Sequence, residues 1–154
     1  MTRRTEDASS PLEVTHHHPD LRVDERALTS TLSLVLEREG RSIGSLSVIL
    51  TDHETVLELN RRYLQHDYLT DVLSFPLGAD DASDVVEGEI YIDLDTAAER
   101  HTEFGMSFDE EVRRYAIHGL LHLIGYDDAT PKGAEAMERL EEVYLRTAGN
   151  APPL

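Results

Sequence analysis

Two histidines, His118 and His122, lie four positions apart in an apolar segment of this 154-residue chain. Residues at that spacing on an α-helix differ by about 40° around the axis and by about 6 Å along it, so both imidazoles leave the same face. Gly125 follows the last apolar turn, and a glycine there can adopt the left-handed conformation that ends the helix and reverses the chain. The segment therefore predicts a helix, a glycine turn and the return of Asp128 to the histidine face.

Two imidazoles and one carboxylate form a pattern typical of a catalytic metal site. Three protein ligands leave the fourth position of tetrahedral zinc open for water or substrate. The alternative is a pair of partly buried polar histidines that bind no metal. The apolar surroundings favour the metal, because an imidazole without a partner is costly to bury. Those apolar residues are Ile117, Leu120, Leu121, Leu123 and Ile124.

Length and composition limit the class of protein. With 40% hydrophobic residues, the chain is expected to form one domain with its own core. It contains no cysteine, which excludes a disulfide partner, thiolate ligands and a cysteine nucleophile. No apolar segment approaches the ~20 residues of a membrane helix, and the first residues lack the apolar core of a signal peptide. We therefore expect a soluble, cytoplasmic protein that has no membrane partner.

The chain is strongly acidic, with 31 acidic and 14 basic residues and a formal net charge of -17. A domain that binds nucleic acid is expected to be basic. Two explanations for the acidity remain open. The surface is adapted to a salt-rich cytoplasm, where the Debye length falls to ~3 Å at 1 M, or it is an ordinary solvated acidic surface on which any basic patch is local.

Hydrophobic patterns and capping residues predict an α+β fold of mixed α/β character. Residues 1–11 are polar and are expected to form a flexible lead-in, and residues 12–154 a single domain. The predicted strands are Leu12–Thr15, Ile43–Leu50, Asp71–Pro76 and Glu87–Asp93, with loops at Gln65–Thr70 and Gly78–Asp84. The five predicted helices are 25–39, 54–63, 95–105, 108–124 and a last one that starts at Pro131. Capping boxes at Thr51–Glu54 and Ser107–Glu110 open the second and the fourth of them. The expected architecture is a mixed four-stranded sheet with the histidine-bearing helix packed against it.

Two separated motifs carry a resemblance to a known family. The segment His118–Asp127 reads His-Gly-Leu-Leu-His-Leu-Ile-Gly-Tyr-Asp, and Thr70–Pro76 reads Thr-Asp-Val-Leu-Ser-Phe-Pro, with Gly-Glu-Ile at residues 88–90 between them. In this order the motifs resemble those of the YbeY family of metal-dependent endoribonucleases. The resemblance covers roughly residues 12 to 148.

The resemblance implies a zinc-dependent endoribonuclease that is selective for single-stranded RNA and acts late in ribosome assembly. It implies a role in maturation of the 3′ end of 16S rRNA and in ribosome quality control. The implied partners are rRNA, small-subunit proteins and an assembly GTPase. One zinc ion per chain would be held by His118, His122 and Asp128. The implied fold has a mixed four-stranded sheet and a zinc helix similar to that of metalloproteases.

The sequence departs from the family pattern at two positions. The third ligand of the family is usually a histidine, whereas Asp128 stands there in this chain. Carboxylate is a competent zinc ligand, so the site is retained with one more unit of negative charge. Leu64 occupies the second position, where many members carry an arginine proposed to contact RNA. Arg61 and Arg62 are the candidates to supply that charge, and the alternative for both is a solvated helix face.

The motif before the third strand contributes further candidate residues. The resemblance implies that Thr70, Asp71 and Ser74 line the substrate groove, where polar side chains can meet phosphate or sugar hydroxyls. Alternatively, Thr70 and Asp71 cap the loop and Ser74 faces solvent. Tyr126 and Asp127 are expected to turn the chain and to orient a histidine rather than to bind the metal.

Two other functions remain open from the sequence. The spacing from His118 to Asp128 is also that of metzincin peptidases, but those enzymes carry a glutamate general base directly after the first histidine. Gly119 occupies that position here, so no carboxylate base is offered. The other alternative is a non-catalytic ribosome assembly factor in which the metal is structural.

Overall fold

The computed structural model describes residues 11–64, 71–78 and 84–150 of the chain. In this part the strands are β1 (Leu12–His16), β2 (Ser42–Thr51), β3 (Val72–Pro76) and β4 (Val85–Asp93). The helices are α1 (Glu25–Arg38), α2 (His53–Leu59), α3 (Leu94–Arg100), α4 (Phe108–Leu123) and α5 (Pro131–Asn150). The α+β fold predicted from the sequence, one domain with five helices and a four-stranded sheet, is confirmed.

The four strands form one mixed sheet in the order β1-β2-β4-β3. Strands β1, β2 and β4 are parallel, whereas β3 runs antiparallel to β4 along one edge. Val72 at the start of β3 pairs with Ile92, and Pro76 at its end pairs with Gly88. Proline cannot donate to a strand ladder, so its place at the end of an edge strand is the expected one.

The core lies between one face of the sheet and helices α1, α4 and α5. Helix α4 is its centre, and Ile117, Leu120 and Leu121 are fully buried beside the two histidines. The helix begins with the predicted capping box: Glu110 N–H donates to Ser107 Oγ at 3.1 Å, and Ser107 N–H donates to Glu110 Oε1 at 2.9 Å. Within the described ranges, no helix combines the length and the apolar character needed to cross a membrane.

The predicted ends of two helices were wrong. Helix α2 ends at Leu59 and is followed by a π-helical turn at Asn60–Leu64, instead of continuing as an α-helix to residue 63. Its N-cap is Asp52, whose side chain accepts from Thr55 N–H, because the residue before it is still the last residue of β2. Helix α3 starts at Leu94 with Asp93 as its cap, and the residues after Arg100 form a 3-10 turn.

Several predicted segments lie outside the described residues. These are positions 1–10 of the lead-in, the loop 65–70 and residues 79–83 of the loop Gly78–Asp84.

Candidate metal centre

The end of α4 and the turn after it bring the three predicted ligands together. Gly125 adopts a φ of +112°, which L residues with side chains rarely take. Its N–H donates to the His122 carbonyl at 3.1 Å, and Tyr126 N–H donates to the Leu121 carbonyl at 3.0 Å. These bonds satisfy carbonyls at the helix end and turn the chain back, so that Asp128 returns to the histidine face as the sequence predicts.

The three ligand atoms form a nearly equilateral triangle. The Nε2 atoms of His118 and His122 are 3.1 Å apart, and Asp128 Oδ2 lies 3.5 Å from each of them. Around tetrahedral zinc with ligands at about 2.0–2.1 Å, any two ligand atoms are about 3.3–3.4 Å apart. The triangle therefore matches one face of a zinc coordination tetrahedron. The three side chains are between 27% and 43% exposed, which leaves the site accessible from solvent.

A buried carboxylate on α5 orients the first of these histidines. His118 Nδ1–H donates to Glu141 Oε2 at 2.5 Å, and Glu141 is only 4% exposed. With its Nδ1 proton held there, the imidazole can present the lone pair of Nε2 to a cation. Burial alone would lower the pKa of His118, but the bond to Glu141 and the nearby negative charges outweigh it and raise the pKa.

Glu141 belongs to a network of buried charges. Arg114 lies 3.6 Å from Glu141 Oε1 through Nη1, and it makes two hydrogen bonds of 3.0 and 2.8 Å to the fully buried Glu111. A paired arginine between two carboxylates compensates the cost of burying them. The sequence pattern of α5 was enough to predict that Glu141 is buried. The acid stands between Met137 and Tyr144 at helical spacing, on the face that is otherwise apolar.

Tyr126 and Asp127 make different contacts from those expected. Both help to shape the turn, but Glu141 rather than either of them orients the histidine. The Tyr126 hydroxyl donates to Glu39 Oε1 at 2.9 Å. Asp127 Oδ1 accepts from Ala129 N–H at 2.9 Å and thereby stabilises the turn locally.

Comparison with known proteins places this chain in a family. The family model described as Endoribonuclease YbeY matches residues 13–149. The chain belongs to the YbeY family. The resemblance predicted from the two motifs is thereby confirmed.

Relatives in the YbeY family match over most of the chain. The Endoribonuclease YbeY of Salinibacter ruber is 49% identical over 92% of this chain and 94% of its own length. That of Carboxydothermus hydrogenoformans is 43% identical over 89% of this chain and 96% of its own. Among solved structures, the solution structure of TM1509 from Thermotoga maritima is similar with a TM-score of 0.60 and 29% identity, covering 89% of this chain and 88% of that one.

Two of the three residues predicted to line the substrate groove lie within the described part of the chain. Asp71 precedes β3, and burial raises the pKa of its carboxyl group although the charges of His118 and Arg114 oppose the shift. The Ser74 hydroxyl donates to the Gly119 carbonyl at 2.7 Å and joins β3 to α4, and its oxygen can still accept a hydrogen bond. Thr70 lies outside the described residues.

The two arginines that were predicted to replace the YbeY-family arginine lie on the π-helical turn. Arg61 and Arg62 are both exposed. Arg62 pairs with Glu58 on the preceding helical turn at 3.0 Å, whereas Arg61 makes no ion pair with any other described residue. Exposed ion pairs of this kind contribute little stability, so both guanidinium groups can meet a phosphate at small cost.

Gly119 lies where α4 packs closely against β3 and β4. A Cβ atom at this position would be 2.8 Å from Ile90 Cγ2 and 3.0 Å from both Ser74 Oγ and Val72 Cγ2. Ile90 is fully buried and Val72 nearly so, which leaves them little freedom to move. Any side chain at this position, including the glutamate that metzincin peptidases carry after the first histidine, would force these neighbours to shift, so the packing disfavours that general base.

We expect Gly119→Ala to destabilise the protein by about 1–3 kcal/mol, since overpacking of a filled core costs that much. Alanine ordinarily stabilises a helix interior by ~0.5–1 kcal/mol relative to glycine, so the expected sign is reversed. Urea unfolding of the metal-free protein measures the difference. Gly149→Ala is the matched control, because a Cβ on this glycine of α5 meets nothing within 4 Å. A Gly119→Ala protein as stable as the parent would show that α4 and the sheet are not so closely packed.

Proposed function

We propose that this chain is a zinc-dependent endoribonuclease selective for single-stranded RNA. The observation that carries the proposal is the ligand triangle of His118, His122 and Asp128, found in a chain whose curated relatives are named endoribonucleases. One zinc ion per chain is proposed. When bound, zinc would polarise the scissile phosphate and lower the pKa of a coordinated water.

The residues around the site hold and orient the ligands. Glu141 keeps the proton of His118 on Nδ1, so that Nε2 is free to bind the cation. Arg114 balances the buried carboxylates of Glu111 and Glu141, and Glu141 accepts the hydrogen bond from His118. Asp128 adds one negative charge where the family pattern has a neutral histidine, which strengthens the attraction of the site for a divalent cation.

We propose that RNA is bound by Arg61 and Arg62 together with Thr70, Asp71 and Ser74. Two exposed arginines offer cationic contacts to the phosphate backbone in an otherwise acidic chain. Cleavage should then weaken as salt is added, because phosphate contacts release counterions. A chain adapted to a salt-rich cytoplasm would instead keep its activity at high salt.

The cellular role that we propose follows from family membership. It comprises maturation of the 3′ end of 16S rRNA, ribosome biogenesis and quality control in the cytoplasm, with small-subunit proteins and an assembly GTPase as partners. The site described above supports only the cleavage reaction.

Cleavage assays distinguish the proposal from its two alternatives. We expect the zinc-loaded protein to cleave single-stranded RNA, to act much more slowly on duplex RNA and to leave casein intact. The absence of a carboxylate at Gly119 supports the last expectation, since general-base catalysis typically contributes 10²- to 10⁴-fold. Chelator-sensitive casein hydrolysis with intact RNA would favour a peptidase. Stoichiometric zinc without any cleavage would favour a structural metal in an assembly factor.

A further inference from the structure

The carboxylate of Glu39, just after α1, accepts hydrogen bonds from two tyrosines on different elements. Tyr126 donates to Oε1 at 2.9 Å, and Tyr144 on α5 donates to Oε2. Hydrogen bonds to an ionised acceptor are roughly twice as strong as neutral ones. Glu39 is half-buried and Tyr144 is buried, so water competes little for these bonds.

Arg41, two residues after Glu39, makes a second contact with the turn at the end of α4. Gly40 adopts a φ of +70°, which reverses the chain after α1. Arg41 then donates from Nη2 to the Ile124 carbonyl at 3.2 Å. Residues 39–41 thus contact the end of α4 on both sides of Gly125.

The two tyrosines that contact Glu39 lie close to residues that carry or orient two of the three proposed ligands, Asp128 and His118. Tyr126 lies in the return turn, two residues before Asp128. Tyr144 lies three residues after Glu141 and on the same side of α5, and Glu141 holds the imidazole of His118. The turn that carries one ligand and the helix that orients another are therefore joined through one carboxylate.

We propose that Glu39 is a positioning residue of the metal centre, which sets metal affinity without touching the ion. This inference rests on the proposed zinc site. Loss of groups that orient ligands typically lowers metal affinity 10- to 100-fold. Because Glu39 acts through Tyr126 and Tyr144, we expect its loss to lower zinc affinity about tenfold, near the lower end of that range.

The test measures zinc affinity by competition with a chelator, together with the unfolding temperature of the metal-free protein. Glu39→Gln removes the charge and one of the two acceptor oxygens, and it is expected to weaken zinc binding about tenfold. Tyr126→Phe should have a similar effect, and the double variant should be little worse than either, because both changes break the same contact. Glu37→Gln is the control, since this glutamate is exposed on the last turn of α1. It should bind zinc like the parent.

The outcomes separate this inference from the proposed function. A parent that binds zinc while Glu39→Gln and Tyr126→Phe only lower the unfolding temperature shows that Glu39 is structural and overturns the inference alone. A parent that binds no zinc overturns the zinc site and this inference together. If Glu39→Gln does not fold, the zinc affinity of Tyr126→Phe tests the inference: a value equal to the parent's overturns it.

Discussion

Replacement of His118 by alanine is expected to abolish zinc binding and to lower cleavage of single-stranded RNA by at least about a thousandfold. The stabilisation that a catalytic metal provides is several kcal/mol, and each 1.36 kcal/mol corresponds to a factor of about ten in rate. The same change leaves the buried carboxylate of Glu141 without its histidine partner, so stability should fall as well. Elemental analysis of the purified variant and single-turnover cleavage of RNA measure the first two effects.

His122→Ala separates the loss of metal from the loss of stability. His122 contacts the other two ligands and has no buried acid behind it among the described residues. This variant should therefore lose zinc and activity. The unfolding temperature of its metal-free form should stay close to that of the metal-free parent. His17→Ala is the control, because His17 is exposed on the segment after β1. Zinc content that stays near one per chain in both His118→Ala and His122→Ala would refute the site.

The second large effect concerns Asp128, the proposed third ligand. Asp128→Ala removes one corner of the ligand triangle, and we expect zinc affinity to fall at least about 100-fold, the upper limit for groups that only orient a ligand. Asp128→His should retain zinc, because imidazole and carboxylate are both ordinary zinc ligands at similar distances. Competition with a chelator measures the zinc affinities of the parent, Asp128→His and Asp128→Ala. RNA cleavage should be retained in Asp128→His and lost in Asp128→Ala.

Asp127→Ala is the matched control for this series. Asp127 is adjacent and acidic, but its side chain accepts from Ala129 N–H within the turn. We expect at most a small change in zinc affinity. If Asp127→Ala loses zinc while Asp128→Ala binds like the parent, the third ligand is Asp127 and the assignment moves by one residue.

Local features of the chain were predictable because they depend on neighbouring residues. The spacing of His118 and His122 places them on one helix face through helix geometry alone. Gly125 reverses the chain because a residue without a Cβ atom can adopt positive φ. From these two properties, the sequence by itself determined that Asp128 meets the histidines. The strands and the last two helices were predictable from hydrophobic periodicity and capping residues for the same reason.

Only the tertiary structure decided what supports that site. Glu141 is 23 positions from His118, and Glu39 is 87 positions from Tyr126 and 105 from Tyr144. No periodicity along the chain encodes such pairs, because they depend on how α1, α4 and α5 pack together. The close approach that reserves position 119 for glycine is likewise a contact between a helix and two strands. The candidate ligands and the missing peptidase base were readable from the sequence, whereas the orientation of His118 and the tight packing around Gly119 arise from contacts between segments distant in sequence.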